Sequence, residues 1–439
     1  MRNLLLLSAI LLGCSGTAAA ASAETPSPDL VANGFIIMST VLVILMSIPG
    51  IGLFYGGMVR TKNMCSILMQ VITSFALIYL LWACYGYSLA SSNNSGSFLS
   101  LFFGDFSNSF LVKLSPDTVD AAHSNLSELV YFAFQGAFAA ITACLIIGSF
   151  AERIKFSGFL IMLVIWFTFA YIPSWHMVWG GGWLDSAFGV LDFAGGTVVH
   201  INASVCALVG AYYIGNRLGY GREAMKPHSM TMTMIGTALL WVGWFGFNAG
   251  SELTSDGISG LALVNTILAP AASLVSWTIC EWFLKGKPSL LGACSGAIAG
   301  LVVITPACGF VGVNGGIIMG LIGGAVCLWG VHGLKKALRV DDTLDVFGIH
   351  GLGGIIGAIM TGIFCSPDLG GVGFGGDNTS ILSQTTGQLI SVVVTIVWTG
   401  IVAFAGFSLA RLITGIRVSC DEERQGLDLS SHGERAYNY

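Results

Sequence analysis

Long apolar stretches alternate with short polar segments along nearly the whole chain. Each stretch has about 20 residues, the length that an α-helix needs to cross the hydrocarbon core of a bilayer. The connecting segments carry most of the charged residues. The pattern therefore predicts an all-α integral membrane protein with eleven transmembrane helices, near residues 34–58, 66–90, 128–149, 157–177, 194–215, 230–249, 260–283, 290–308, 311–333, 347–365 and 385–412.

The composition agrees with a membrane-embedded chain. Of the 439 residues, 54% are hydrophobic and only 9% are charged, whereas soluble domains carry roughly 25% charged residues. This balance excludes a soluble globular protein, and the net charge of −5 provides no basic surface for nucleic acid. The 11 cysteines include no C-x-x-C pair, which favours small packing residues over a disulfide or zinc framework.

The first 23 residues have the pattern of a cleaved secretory signal peptide. Arg2 precedes an apolar stretch at 4–12, and Ala21-Ser22-Ala23 provides a small-residue cleavage site. An uncleaved first helix and a lipoprotein-type signal ending at Cys14 are the alternatives. Cleavage after residue 23 would leave the mature amino terminus outside a bacterial inner membrane.

The distribution of basic residues predicts the topology. With the amino terminus outside and eleven crossings, Lys113 is the only basic residue after Arg2 that falls in an outer loop, as the positive-inside rule requires. The carboxyl terminus then lies inside. This gives a transmembrane domain at 24–412 and a cytoplasmic tail at 413–439. The inner basic residues are Arg60, Lys62, Arg153, Lys155, Arg217, Arg222, Lys226, Lys285, Lys287, Lys335, Lys336, Arg339, Arg411, Arg417, Arg424 and Arg435.

Eleven spans can divide into two repeats of five and one additional helix. Because five is odd, the second repeat would be inverted, a common plan among transporters. Glycine-flanked His200 and His350 lie on the corresponding fifth and tenth spans. Ionisable groups at membrane depth invite a functional role. Span counting permits a contact between the two histidines, and it leaves open both satisfied core residues and a bis-histidine haem or metal centre.

Aromatic residues and a hydroxyl gather toward the predicted outer face. Trp179 ends the fourth span, Phe247 and Ser251 end the sixth, and Phe134 and Phe138 are one helical turn apart on the third. An interfacial aromatic belt is one interpretation. The other is a weak cation receptor, because aromatic faces attract cations by up to about 2 kcal/mol. Apolar walls beyond such a receptor would pass only a neutral molecule.

Several long segments of the chain resemble the Amt/MEP/Rh ammonium transporters. The resemblance runs in order from the signal peptide to the tail and is far more specific than an isolated glycine motif. The segments are IPGIGLFYGG at 48–57, AER at 151–153, DFAGGTVVHINA at 192–203, GWFGFNAGS at 243–251, KPSLLGACSG at 287–296 and DVFGIHG at 345–351.

The resemblance implies a homotrimer with one pore in each subunit. Phe138, Trp179 and Ser251 match the family's outer ammonium site, and Phe138 with Phe247 matches its phenyl gate. The paired pore histidines correspond to His200 and His350, which would relay protons. Asp192 matches the family's acidic residue near the entry, which supports the site. From its spacing with Phe138, we also expect Phe134 to be a supporting residue. Ammonium would lose its proton and cross as ammonia, and the resemblance favours net proton movement over a gas channel.

The resemblance also extends to the carboxyl-terminal tail. Gly426-Leu427-Asp428 and the residues after it resemble the tail through which family members meet a trimeric PII-type signalling protein, whereas composition alone indicates a solvated polar end. The other expected partners are ammonium or ammonia and membrane lipids. We expect no metal or other cofactor and no enzymatic activity, because the sequence shows no nucleophile–base–orienter set. A pure ammonium sensor and a redox protein are the competing classes.

Overall fold

The computed structural model describes residues 27–92, 97–120, 122–123 and 125–438. The proposed signal peptide at 1–23 lies outside the described residues. Ten described helices are long and apolar enough to cross a membrane, and an eleventh apolar helix is shorter. In chain order the eleven are α1 Leu30–Met58, α2 Thr61–Ser91, α3 Glu128–Phe150, α4 Phe156–Trp179, α5 Gly196–Ile214, α6 Met230–Glu252, α7 Gly257–Lys285, α8 Leu290–Ile304, α9 Val313–Leu338, α10 Phe347–Phe364 and α11 Ile381–Thr414.

The shorter helix, α8, coincides with the predicted eighth span. The sequence predicts a span over 290–308, but the helix ends at Ile304 and the chain continues in buried turns. Asn265 makes these turns possible, because its side-chain amide donates to the carbonyls of Cys308 at 2.8 Å and Val311 at 2.9 Å. Non-helical backbone at membrane depth is tolerated where protein rather than lipid surrounds it. The apolar pattern of the turn residues therefore reflects burial in protein.

A stripe of glycines brings α7 and α9 into close contact. Gly320 and Gly324 are four residues apart on α9 and face α7. A β-carbon at Gly320 would lie 2.2 Å from the carbonyl oxygen of Ala269, and one at Gly324 would lie 2.3 Å from that of Ser273. Small residues at this spacing let helices pack backbone to backbone, as is common in membranes.

His200 and His350 both lie on short π-helical turns. Gly196–Ile201 forms such a turn at the start of α5, and Phe347–Gly351 forms another at the start of α10. A π-turn inserts one extra residue into the helical repeat and is frequent at functional sites. The fifth and tenth helices therefore present their histidines from equivalent irregular positions.

At one end of the bundle, buried ion pairs join four connecting segments. We call this the basic end. Glu152, after α3, lies 2.7 Å from Arg60 after α1 and 3.2 Å from Arg217 after α5. Arg217 also contacts Asp341, after α9, at 2.8 Å. The network fixes the ends of eight helices relative to one another.

The chain after α11 folds back onto the same basic end. It forms two short helices, α12 Cys420–Gln425 and α13 Leu427–His432. Lys62 Nζ donates to the carbonyl of Glu423 at 3.0 Å and to that of Arg424 at 2.6 Å. The segment is thus packed against the bundle, in contrast to the solvated end that its composition alone indicates.

Candidate transport pathway

The two predicted pore histidines are in direct contact. The Nδ1 atoms of His200 and His350 are 3.2 Å apart, and both side chains are buried. A neutral imidazole has one donor and one acceptor nitrogen. One ring therefore donates to the other across this contact. Buried His200 Nε2 has no hydrogen-bond partner among the described residues, which leaves a polar atom available to a solute.

The histidines belong to a narrow cavity with apolar walls, which we call the histidine cavity. Tyr55 also lines it, but its hydroxyl donates to the Leu145 carbonyl at 3.0 Å. The ring of Trp244 stacks on His200 with centroids 5.5 Å apart and holds the imidazole in place. The described residues that line the cavity include no charged carboxylate, lysine or arginine: Met46, Ile51, Phe54, Tyr55, Ile141, Leu145, Val199, His200, Leu240, Trp244, Phe247, Ile298 and His350.

Two stacked phenyl rings separate this space from a second cavity. Phe138 and Phe247 are buried and nearly parallel, with ring centroids 4.1 Å apart and an angle of 10° between the planes. Phe247 lines the histidine cavity, whereas Phe138 lines the second one. Phe134 lies behind the pair, with its ring 4.9 Å from that of Phe138. The ring of Phe134 therefore packs against that of Phe138.

The second cavity, which we call the aromatic cavity, contains the predicted receptor residues. The indole of Trp179 lies edge-on to Phe138 at 6.2 Å, and its Nε1 donates to the carbonyl of Asp192 at 2.7 Å. The hydroxyl of Ser251 donates to the carbonyl of Phe247 at 2.8 Å. Because a hydroxyl has one hydrogen, Ser251 can offer only its lone pairs to a solute. The lining comprises His123, Tyr131, Gln135, Phe138, Trp179, Asp192, Phe193, Ser251, Glu252, Leu253 and Phe310.

Asp192 organises the beginning of α5 from within. Its carboxylate oxygens accept hydrogen bonds from the backbone N–H groups of Gly195 at 2.9 Å, Gly196 at 2.6 Å and Thr197 at 2.8 Å, and from the Thr197 hydroxyl. An acidic side chain at this position satisfies the free N–H groups of the first helical turn and complements the helix dipole. The backbone of the same residue holds Trp179. Asp192 therefore holds both the side chain of Trp179 and the start of the helix that carries His200.

Sequence reasoning missed several residues of the aromatic cavity. Gln135 could have been found, because it lies three residues before Phe138 and so on the same helical face. His123 had no such signal. It reaches the cavity from the short hairpin of Val119–Asp120 and Leu126–Ser127 that precedes α3.

His123 is held by two neighbours. Its ring stacks on Tyr131 with centroids 4.8 Å apart, and its Nδ1 lies 2.7 Å from a carboxylate oxygen of Asp120. The hydrogen bond from His123 keeps the pKa of Asp120 below its usual range. The hairpin thus contributes a fixed polar wall to the aromatic cavity.

The fold and the two cavities together define a multi-pass membrane protein of the transporter class. Residues 34–437 match the model of the Ammonium Transporter Family, and the chain belongs to that family.

Curated relatives and solved structures agree with this assignment. The ammonium transporter of Bacillus subtilis is 43% identical over 403 residues, which are 92% of this chain and 97% of that protein. Ammonium transporter Amt1 of Archaeoglobus fulgidus is 40% identical, with coverage of 92% and 98%. Candida albicans Mep2 superposes with a TM-score of 0.81 at 34% identity, covering 90% of this chain and 88% of that one. A structure described as a sensor Amt protein gives a TM-score of 0.83 at 27% identity, with coverage of 92% and 98%.

Proposed function

We propose that the protein transports ammonium, taking it up as the cation in the aromatic cavity and conducting it as ammonia past the two histidines. The observation that carries the proposal is the stacked pair of Phe138 and Phe247. It divides a cavity lined by aromatic, hydroxyl and carboxylate groups from one whose walls are apolar. A solute that passes from one to the other must leave a polar environment for an apolar one.

Recognition takes place in the aromatic cavity. The faces of Trp179 and Phe138 attract a cation, with a contribution of about 0.5–2 kcal/mol. Ser251 accepts an N–H bond from the ammonium ion, since its own hydrogen is committed to Phe247. Potassium has no hydrogen to donate and no proton to lose, so the same site discriminates against it.

Deprotonation follows from the chemistry of the histidine cavity. Moving a bare ion into an apolar interior costs tens of kcal/mol on an idealised solvation estimate, and the aromatic attraction is far too small to offset this. Ammonia is neutral and can hydrogen-bond with the unpartnered Nε2 of His200. Substrate therefore crosses the phenyl pair without its proton.

The histidine pair provides a path for the proton left behind. Imidazole can accept a proton on one nitrogen and release one from the other, and its ordinary pKa is near neutrality. The 3.2 Å contact of His200 with His350 makes two such rings continuous. A proton that crosses along this pair and rejoins ammonia on the far side makes transport electrogenic.

Family membership supports further proposals about the assembly. We extend the eleven-helix, amino-terminus-out plan with inverted five-helix repeats to this chain, together with the homotrimer and the bacterial inner membrane. We also propose that the packed segment of α12 and α13 is a regulatory element that meets a PII-type signalling protein. Its contact with Lys62 would connect such a partner to the first connecting segment of the bundle.

Electrical recording from proteoliposomes during an ammonium pulse tests the transport proposal. Wild-type protein should give an ammonium-dependent current and no response to an equal potassium pulse. His200→Ala should abolish the current, and Trp179→Ala should weaken apparent affinity. Trp329→Ala, an exposed aromatic on α9, provides the control. Wild-type protein without current or uptake would refute transport, and ammonium binding without flux would instead identify a sensor.

A further inference from the structure

Among the residues that the structure describes, two carboxyl side chains line the aromatic cavity, and only one of them lacks hydrogen-bond partners. The oxygens of Asp192 are occupied by the backbone and hydroxyl donors at the start of α5. Glu252 lines the same cavity and is half-buried. Among the described residues, its side chain has no hydrogen-bond or ion-pair partner. The carboxylate of Glu252 therefore keeps its acceptor oxygens available within the cavity that Ser251 also lines.

The backbone around Glu252 is strained in a way that turns consecutive side chains into the cavity. Leu253 has φ of 61° and ψ of 4°, in the left-handed region. For a bulky side chain this conformation is an outlier with a cost of order 1–3 kcal/mol. As a result, Ser251, Glu252 and Leu253 all line the aromatic cavity. Strain of this kind persists where the surrounding structure enforces it, often at ligand sites.

The electrostatic surroundings leave the charge of Glu252 uncompensated. The lining of the aromatic cavity, taken from the described residues, contains neither lysine nor arginine. The adjacent Asp256 adds negative charge, and its carboxylate caps α7 through the N–H groups of Ile258 and Ser259. His123, the nearest basic side chain in the lining, is already paired with Asp120. A cation entering this space therefore meets a negative potential centred on Glu252.

We propose that Glu252 is a substrate-contacting residue that draws ammonium into the aromatic cavity and passes it to Trp179 and Ser251. This inference rests on the proposed transport function and adds an affinity determinant to it. An ammonium ion has four N–H donors directed to the corners of a tetrahedron. The Glu252 carboxylate and the Ser251 oxygen accept two of them, while the aromatic faces take the remaining side of the ion.

The test compares Glu252→Gln with Asp368→Asn in proteoliposomes pulsed with ammonium at pH 8, where a carboxylate is ionised. Asp368 is an exposed acidic residue in the turn after α10 and does not line the aromatic cavity. Glu252→Gln should raise the apparent KM for ammonium about fivefold, which corresponds to ~1 kcal/mol. The saturating current should change by less than about twofold, because the gate and histidines are untouched. Asp368→Asn should behave as wild type.

Salt dependence separates an electrostatic role from a structural one. Raising ionic strength should increase the KM of wild-type protein and narrow its difference from Glu252→Gln. Glu252→Ala removes the same charge without breaking a hydrogen bond within the described protein, and it replaces the Gln variant if that variant does not fold. Wild-type transport with an unchanged KM in the neutral variant would overturn the role of Glu252. Absence of current from wild-type protein would instead reject the transport function.

Discussion

Asp192 shows how one buried side chain can determine the geometry of two functional groups. Its carboxylate holds the first turn of α5, which carries His200, and its carbonyl accepts the indole N–H of Trp179 at 2.7 Å. The side chain of Asp192 thus orders the helix that carries His200 of the histidine cavity, whereas its backbone carbonyl holds Trp179 of the aromatic cavity. A substitution that keeps the size of the side chain but alters its acceptors should disturb both.

Asp192→Asn should reduce both stability and transport. The amide nitrogen cannot accept a hydrogen bond, so the buried donors that pair with one of the two carboxylate oxygens lose their partner, at a cost of about 1–3 kcal/mol each. We expect a lower melting temperature in detergent and strong loss of ammonium-dependent current. Asp185→Asn, at an exposed site on the short helix Trp183–Phe188, should leave both unchanged. Wild-type melting in Asp192→Asn would contradict the capping role.

Some of the candidate site could be predicted from local pattern and some could not. Helical spacing grouped Phe134 with Phe138, and span counting placed Trp179 and Ser251 at one face. Glu252 was visible only as one of several acidic residues in predicted outer loops. Its exposure to the cavity depends on the left-handed turn at Leu253, which is unusual for leucine and has no sequence signature.

Buried His176 helps to fix the position of the carboxyl-terminal end of α4. His176 Nδ1 lies 2.7 Å from the carbonyl oxygen of Ala90 at the end of α2, and its Nε2 lies 2.9 Å from that of Ser100. The imidazole N–H donates to one of these carbonyl oxygens, and the ring lies in contact with the other. His176 thereby ties the last turn of α4, which carries Trp179, to two other segments.

His176→Ala should loosen this turn. It leaves a buried carbonyl group without its donor, at a cost of about 1–3 kcal/mol. We expect a lower melting temperature and a raised KM for ammonium, because Trp179 is less well positioned. His176→Gln, which retains donors, should recover part of both. If the Ala and Gln variants were equally impaired, the hydrogen bonds of His176 would not be what positions this turn.

The helix starts explain why span counting could not establish the histidine contact. Span counting uses a rise of 1.5 Å per residue and measures the depth of His200 and His350 from opposite faces of the membrane. It leaves a gap of about 10 Å of the hydrocarbon core between the two residues. In the structure both lie on π-turns, which change the rotation of every later side chain. The rings consequently point toward each other. Apolar periodicity predicts the existence of such helices but not an inserted residue.

At the scale of the whole molecule, the ion pairs of the basic end make stability dependent on pH. Burial alone would raise the pKa values of Glu152 and Asp341. Burial is the largest single influence, but the charges and hydrogen bonds of the neighbouring arginines together outweigh it and hold both pKa values below their usual range. These arginines are Arg217 and Arg60 at Glu152, and Arg217 and Arg153 at Asp341. Carboxyl groups with lowered pKa in the folded state stabilise it above the unfolded pKa, near 4.

Acid should therefore weaken the fold of the intact protein. Stability from this network is fully present above about pH 5 and is lost as pH falls through the lower folded pKa values. We expect the melting temperature to fall below about pH 4. Glu152→Gln should melt lower at neutral pH and show a shallower acid dependence, since one titrating partner is gone. Parallel pH curves for the two proteins would exclude this network as the cause.

The number of crossings depends on α8. At 1.5 Å per residue its 15 residues extend about 22 Å, less than the ~30 Å hydrocarbon core. The buried turns after Ile304, capped by Asn265, supply the remaining length. If α8 crosses, Lys287 and Asn314 lie on opposite sides of the membrane. If it does not, the two residues share one side, and every later segment is inverted.

Cysteine labelling decides between these topologies. In a Cys420→Ser background, which removes the exposed native cysteine, a membrane-impermeant maleimide should label Asn314→Cys in intact cells. Lys287→Cys should react only after permeabilisation. Both positions are exposed at opposite ends of α8 and its turn. Equal labelling of the two in intact cells would remove one crossing and place the basic segments after α8 outside, against the positive-inside rule. These are Lys335, Lys336 and Arg339 and the carboxyl-terminal tail. The eleven-crossing plan requires the asymmetric result, because only an odd count puts the basic end and the carboxyl-terminal helices on the same inner side.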